Sequence, residues 1–276
     1  MKALLLEDVR KISIQEYPEP AKKDDHIITK VNAVGICGSD LHYYSEGGIG
    51  SANVGSGFVP GHEFSAVLME SIPEMNLEEG EHIAVDPAKP CFKCQWCKKG
   101  FENLCPYVEF IGAPPFNGAM AQYVSIKKHQ IHKIPKHFSP ETAVLLETLG
   151  VALHAVDLSK VKFHQEICIL GSGPVGLCIL KILKSMGAKA IYVIDPINYR
   201  VQHALKNGAE HVFKSVDDFV QYKNLGDKTA IIGVGGIMSK ESAQEKINLG
   251  ADLLQMYSGL VYCGTSIINE ITRSLK

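Results

Sequence analysis

The chain has no apolar run approaching the ~20 residues that a membrane-spanning helix needs, no internal repeat and no low-complexity segment. Neither sign of charge is in excess: 28 Lys and Arg stand against 30 Asp and Glu, a formal net charge of −2. The basic residues are scattered rather than gathered into a stripe interleaved with aromatics, which argues against a nucleic-acid surface. The opening stretch, MKALLLEDVRKISIQEY, holds too short an apolar segment for a secretory leader and no cleavage site after it. The expectation is a cytoplasmic protein with no nucleic-acid or membrane partner.

Cysteine, by contrast, is present eight times in 276 residues. A chain of this length without a leader does not read as a disulfide-stapled secreted module, so clustered cysteines read as metal ligands. CFKCQWCKKGFENLC sets Cys91, Cys94, Cys97 and Cys105 at C-x2-C-x2-C-x7-C. Two-residue gaps let neighbouring thiolates converge on one ion, and the loop returns the fourth. A closed tetrahedral zinc site wants four such donors. An iron–sulfur cluster stays open as a minor alternative, because C-x2-C-x2-C also begins cluster motifs.

Residues 1–150 carry short β-type runs (HIITKVNAVGI, FSAVLMESI, EHIAVDP, MAQYVSI) separated by turn residues, a mostly β pattern. At Ser139 the pattern changes. SPETAVLLETLGVALHAVDL offers a Ser cap, a Pro in the first turn and apolar residues at helical spacing. From Ile167 onward strands alternate with helices, predicted over 174–186, 198–206, near 216–224 and over 240–249. Such alternation argues for a parallel sheet covered by helices. Within it, ICILGSGPVGLCILKILKSMGAKAIYVID follows a strand and opens a helix. Gly171, Gly173, Val175 and Gly176 form the glycine fingerprint, and Asp195 follows 19 residues after Gly176. The glycines allow a tight turn and close pyrophosphate approach, while the acid suits ribose hydroxyls and repels a 2′-phosphate. NAD is therefore expected over NADP, with the nearby Arg200 softening that preference.

GICGSDLHYY supplies Cys37, Ser39, Asp40 and His42, and PGHEFSA supplies His62 and Glu63. With VGICGSDLHYY, VPGHEFSA, EGEHIAVDPAKPCFKCQWCKKGFENLC, GAMAQYVSI and LLETLGVALHAV, the chain resembles the zinc-dependent medium-chain dehydrogenases over about 1–215, in particular their polyol branch (sorbitol and xylitol dehydrogenases). The resemblance implies a GroES-like catalytic domain with a zinc lobe, then a Rossmann nucleotide domain. It implies a catalytic zinc held by Cys37 and His62, with Glu63 a third or nearby ligand, and a structural zinc in the cysteine lobe. Ser39 would take the substrate hydroxyl proton, His42 would pass it outward, Asp40 would orient a zinc-bound imidazole, and Glu147 would lie near the zinc. Thr148 stands where the polyol branch usually has Pro, which makes Glu147 the departure in that set.

The end of the chain does not continue that family. From about Ala230, IIGVGGIMS and LLQMYSGL resemble the last two βα units of dihydroorotate dehydrogenase, with Gly235, Gly236, Tyr257 and Ser258 at the positions of its phosphate grip. Two units cannot close an eight-stranded barrel, so neither FMN chemistry nor dihydroorotate oxidation is expected. The expected layout is a GroES-like zinc domain over 1–155, a partial Rossmann sheet over 156–226, and a βα tail over 227–276. In the order 3-2-1-4-5 the strand near 230–234 would lie beside the strand at 167–170.

The expected function is zinc- and NAD-dependent oxidation of a polyol or secondary alcohol to a ketone. A non-catalytic zinc- and nucleotide-binding remnant and an unstable fusion product stay open, as does a homo-oligomer. Four histidines are read as structural: His154 packed on its helix, and His129, His132 and His137 on a surface strand and turn. Cys168 and Cys178 read as core thiols, and Trp96 as packed on the lobe.

Overall fold

The structure, a computed structural model, describes the whole chain except residues 24, 51, 224–231, 235, 236, 238, 249–252, 256–265, 275 and 276. It divides into two compact units, Met1–Glu147 and Thr148–Lys276.

In the first unit, β1 (Lys2–Asp8) and β2 (Lys11–Glu16) form a hairpin. Strand β3 (His26–Val34) leads into helix α1 (Gly38–Glu46), and β4 (Gly48–Ile49) pairs with β5 (Ala52–Asn53). Then come β6 (Phe64–Leu68), β7 (His82–Val85), the small pair β8 (Ala88–Lys89) and β9 (Glu109–Phe110), β10 (Tyr123–Lys127) and β11 (Ile131–Lys133). Five of these form an antiparallel sheet in the order β10-β3-β6-β7-β11. Ile27, Phe64, Ala66, Leu68, Ile83 and Ile126 fill its core, each 5% exposed or less. Pairing of Val34 with Phe64 at one end of the β3–β6 ladder carries the chain after β3 alongside the chain before β6. That register sets Cys37 next to His62 and Glu63.

Helix α2 (Pro140–Ser159) runs through the division between the units. Its Ser139 cap is present: Ser139 Oγ accepts the Thr142 N–H at 3.2 Å. Ala143 and Leu146 belong to a cluster of the first unit, whereas Ala152, Ala155 and Val156 join the core of the second. With 20 mostly apolar residues, α2 is by length and composition able to cross a membrane, contrary to the absence of such a run expected above. Glu141, Glu147 and Asp157 interrupt it; Ala143, Ala152 and Ala155 are buried, while Leu145, Leu153 and Leu158 are exposed. His154 on this helix is exposed rather than packed.

The second unit alternates β12 (Glu166–Leu170), α3 (Pro174–Ser185), β13 (Ala190–Ile194), α4 (Asn198–Lys206), β14 (His211–Phe213), α5 (Val216–Lys223), β15 (Ile232–Val234), α6 (Lys240–Asn248), β16 (Leu253–Gln255) and α7 (Ser266–Ser274). The sheet is parallel, in the order β14-β13-β12-β15-β16. β15 pairs with β12 through Ile169–Ile232 and Leu170–Gly233, as the strand order anticipates. The tail therefore continues the nucleotide sheet. It also buries apolar surface of its own, with Ile237, Ala243, Ile267 and Ile271 in one cluster.

Candidate active site

The ligand atoms of Cys37, His62 and Glu63 lie within 4.8 Å of one another. Local structure holds each one. Cys37 caps α1 in an extended conformation (φ −80°, ψ 161°), and its backbone N–H donates to Asp40 Oδ2 at 2.9 Å. The other oxygen of that carboxylate, Oδ1, accepts the Gly61 N–H at 3.1 Å. Asp40 thus ties the Cys37 segment to the His62 segment through backbone groups, near the His62 imidazole whose charge it feels. Burial pushes the Asp40 carboxyl up, against the favourable field of His62. Gly35 leaves room for the Glu63 side chain, because a Cβ at Gly35 would lie 2.5 Å from Glu63 Oε2.

His62 is 5% exposed and packs its ring near Phe110, with centroids 5.7 Å apart. Its lead-in, Val59–Gly61, is clamped by three backbone bonds: Gly118 N–H to Val59 O, Ala119 N–H to Gly61 O, and Met120 N–H to Pro60 O. Gly61 itself sits at φ +97°, in the left-handed region that favours glycine.

This donor set fits a zinc ion. A thiol, an imidazole and a carboxylate converge at the range of first-row divalent metals, leaving a fourth position for substrate. Burial pushes the Cys37 thiol up to about 11, and the Glu63 and Asp40 carboxylates add to that while Ser39 opposes it. A bound cation reverses this balance and favours the thiolate. Ser39 Oγ is buried and, beyond leaning on the Cys37 sulfur, lacks a hydrogen-bond partner among the described residues. His42, one turn along the same helix face, is half-exposed, and its Nδ1 lies 3.0 Å from Glu46 Oε1. Glu147 is half-buried on α2 and outside the group of three, while Thr148 after it is 3% exposed.

The four lobe cysteines likewise bring their sulfurs within 4.8 Å of one another, with Cys94–Cys97 at 3.5 Å and Cys91–Cys97 at 4.0 Å. A tetrahedral ion at ~2.3 Å from each sulfur requires sulfurs ~3.8 Å apart. An iron–sulfur cluster puts irons and sulfides between its cysteines and holds them farther apart, so the geometry favours a single ion. Backbone N–H groups point at the sulfurs: Cys91 to Cys105 Sγ at 3.4 Å, Cys94 to Cys91 Sγ at 3.3 Å and Cys97 to Cys94 Sγ at 3.5 Å. The Lys93 N–H, with that of Cys94, lowers the Cys91 thiol to about 6, whereas burial pushes Cys97 up to about 12. Trp96 lies 37% exposed beneath the Lys99 ammonium, which is 6.0 Å from its ring centre. His129, His132 and His137 are exposed and belong to neither cysteine-containing group.

In the second unit, β12 ends at Leu170 and the chain turns through Gly171 (φ +98°) into α3, with Gly173 as N-cap and Pro174 in its first turn. A Cβ at Gly176 would sit 2.0 Å from the Gly171 carbonyl oxygen, so the loop and helix approach as closely as they do only with glycine there. At Gly173 a Cβ would meet nothing within 4 Å, so this face of the helix N-terminus is open. Val175 is half-buried against the core. Asp195, just after β13, is 2% exposed, and Arg200 Nη1 lies 3.8 Å from its Oδ2. The glycine fingerprint does not single out Ser172, yet its N–H and its Oγ both reach Asp195 Oδ2, at 2.8 and 3.2 Å. A hydroxyl at the variable position between the first two glycines is the one signal that points to it. Gly235, Gly236, Tyr257 and Ser258 lie outside the described residues.

Comparison with known proteins agrees with this geometry. Residues 23–136 match the alcohol dehydrogenase GroES-like domain, and residues 212–276 match dihydroorotate dehydrogenase. The chain is 40% identical over 215 residues to a sorbitol dehydrogenase of Bacillus subtilis, covering 77% of this chain and 60% of that protein. It is 30% identical over 280 residues to D-xylulose reductase A of Aspergillus oryzae, covering 98% of this chain and 76% of that one. Among solved structures, 2R,3R-butanediol dehydrogenase from Bacillus subtilis superposes with a TM-score of 0.72 at 29% identity, covering 86% of this chain and 71% of that one.

Proposed function

Because this chain belongs to the zinc-dependent medium-chain alcohol and polyol dehydrogenases, we propose that it oxidises a polyol or secondary alcohol to the ketone with NAD. The observation that carries the proposal is the meeting of Cys37, His62 and Glu63 beside the buried Ser39 hydroxyl. Cys37 and His62, with Glu63, would hold the catalytic zinc, and Cys91, Cys94, Cys97 and Cys105 the structural one. When bound, zinc supplies Lewis-acid stabilisation of charge on the substrate oxygen, and NAD accepts the hydride.

The protein's own groups do the rest. Ser39 takes the proton from the substrate hydroxyl, and His42 carries it toward solvent through the nitrogen not facing Glu46. Glu147 borders the site from α2. Gly171, Gly173, Val175 and Gly176 form the pyrophosphate turn, and Asp195, flanked by Arg200, receives the ribose. A small alcohol is the only partner this chemistry requires, and a reducing, cytoplasmic setting keeps the lobe thiols free for metal. We retain the division into a zinc domain to residue 155, a partial nucleotide domain to 226 and a tail.

The chain spans 60% of the length of the sorbitol dehydrogenase it matches, and that fact favours a second reading, a zinc- and nucleotide-binding protein without turnover. Titration of the zinc-loaded chain with NADH, followed by nicotinamide fluorescence, tests the shared premise. Saturable binding with enhanced emission is expected, and turnover of polyols, lost on chelation, then separates the enzyme from the binder. A folded, zinc-loaded chain that leaves NADH emission unchanged would sink both readings.

A further inference from the structure

The dinucleotide acid is held by more than its own strand. Asp195 Oδ2 accepts the Ser172 N–H at 2.8 Å and the Ser172 hydroxyl at 3.2 Å, and Oδ1 accepts the Ile197 N–H at 2.9 Å. A carboxylate oxygen offers two lone pairs. Both of those on Oδ2 are therefore engaged, and one on Oδ1 remains. Arg200 approaches the other oxygen: its Nη1 lies 3.8 Å from Oδ2, and its Nε donates to Tyr199 Oη at 3.3 Å with the guanidinium against the Tyr199 ring. The backbone around the pair is fixed independently, by Gly171 N–H to Ile194 O at 2.8 Å and Asp195 N–H to Phe213 O at 3.0 Å. Among the described residues, Ser172 thus supplies the one side-chain hydroxyl bonded to this carboxylate.

We propose that Ser172 is a positioning residue that sets the dinucleotide selectivity of this chain, by holding Asp195 Oδ2 so that the remaining lone pair of Oδ1 accepts one ribose hydroxyl. The inference rests on the dinucleotide reading above. A ribose 2′-hydroxyl brings a proton to that lone pair, whereas a 2′-phosphate brings only acceptors and charge. Without the Ser172 hydroxyl, Oδ2 regains a free lone pair inside a buried pocket. The carboxylate then keeps only its backbone bonds from Ser172 and Ile197, and its remaining acceptor direction is held less tightly. The backbone bond from Ser172 persists in any substitution, so the loop keeps its turn.

The test is a double-mutant cycle read by NADH and NADPH fluorescence titration, with S172A, D195A and the pair, and thermal melting of each. S172A is expected to weaken NADH about three- to tenfold, the worth of one hydrogen bond to a charged group, and to change NADPH about twofold or less. In the D195A background the same substitution should change NADH about twofold or less. S172T, which keeps the hydroxyl, restores NADH affinity. Equal weakening of both dinucleotides by S172A, or the same loss with and without Asp195, overturns the inference. Should D195A fail to fold, the contrast between S172A and S172T at matched melting temperature decides in its place. A wild-type chain that binds NADH while S172A behaves like it overturns this inference alone. A wild-type chain blind to NADH overturns the function proposed above as well.

Discussion

Replacing Gly118 with alanine should cost the protein the metal proposed at Cys37, His62 and Glu63 while sparing the one proposed in the cysteine lobe. A Cβ at Gly118 would lie 2.4 Å from both the Gly61 and the Pro60 carbonyl oxygens. Neither is a side-chain end that can swing aside, so the two backbone segments must separate. Those segments are the clamp that leads into His62, joined by the bonds from Gly118, Ala119 and Met120. Overpacking of this kind costs about 3 kcal/mol. His62 moves with its lead-in, and Asp40 loses its hold on the Gly61 N–H. Bound zinc should fall from about two ions per chain to about one, and any alcohol turnover should drop on the order of a thousandfold. Gly150 is the control: on α2 its Cβ would meet nothing within 4 Å, and alanine there favours the helix by about 0.5–1 kcal/mol. Zinc content unchanged in G118A would show that the clamp does not position His62.

Substituting Cys105 with serine should release the lobe. From Cys91 to Cys105 only Cys97 and Cys105 are buried, so the segment has no apolar core of its own. Phe92, Trp96 and Phe101 are all more than a third exposed. What orders such a segment is the metal, whose binding free energy is then folding free energy. In C105S, or after chelation of the wild type, trypsin should cut after Lys98 or Lys99 on the order of a hundredfold faster or more. The Cys37 site should keep its ion in C105S, which zinc analysis would show. Cleavage at the wild-type rate, with the lobe ion gone, would mean that the peptide frame holds the sulfurs together without it.

Features with short reach were legible in the amino-acid order. The C-x2-C-x2-C spacing, the Ser139 cap and the glycine turn each depend on neighbours within one or two turns of chain, and each stands where that spacing puts it. The pairing of β15 with β12 was also foreseeable, because right-handed crossovers leave few orders for a parallel sheet. Contacts that join distant segments were not. The Gly61 N–H reaches Asp40 from 21 residues away, a contact that the local sequence does not announce. Ser172 looks like a spacer between glycines until Asp195 arrives from 23 residues away. His154 sits in an apolar stretch, but helical rotation turns it outward while Ala152, Ala155 and Val156 face the core. Periodicity ranks a helix's faces; it does not say which of them a neighbour covers.

The strand order has a consequence for how such a chain can arise. The match to dihydroorotate dehydrogenase begins at residue 212, and the first strand wholly within it that enters the sheet, β15, docks against β12, which belongs to the dehydrogenase-like part. Between β14 and β15 the sheet order reverses direction, since β13 and β14 extend to one side of β12 and β15 and β16 to the other. A recombination joint here exchanges one whole flank of the sheet and leaves the other intact. Parallel strands with right-handed crossovers are interchangeable in backbone terms, so the ladder between β12 and β15 runs without a break although the two strands resemble different families. The reversal is also where open sheets of this kind bind their ligands. The match to dihydroorotate dehydrogenase therefore begins close to the line of the fold that bears most directly on what a sheet of this kind binds.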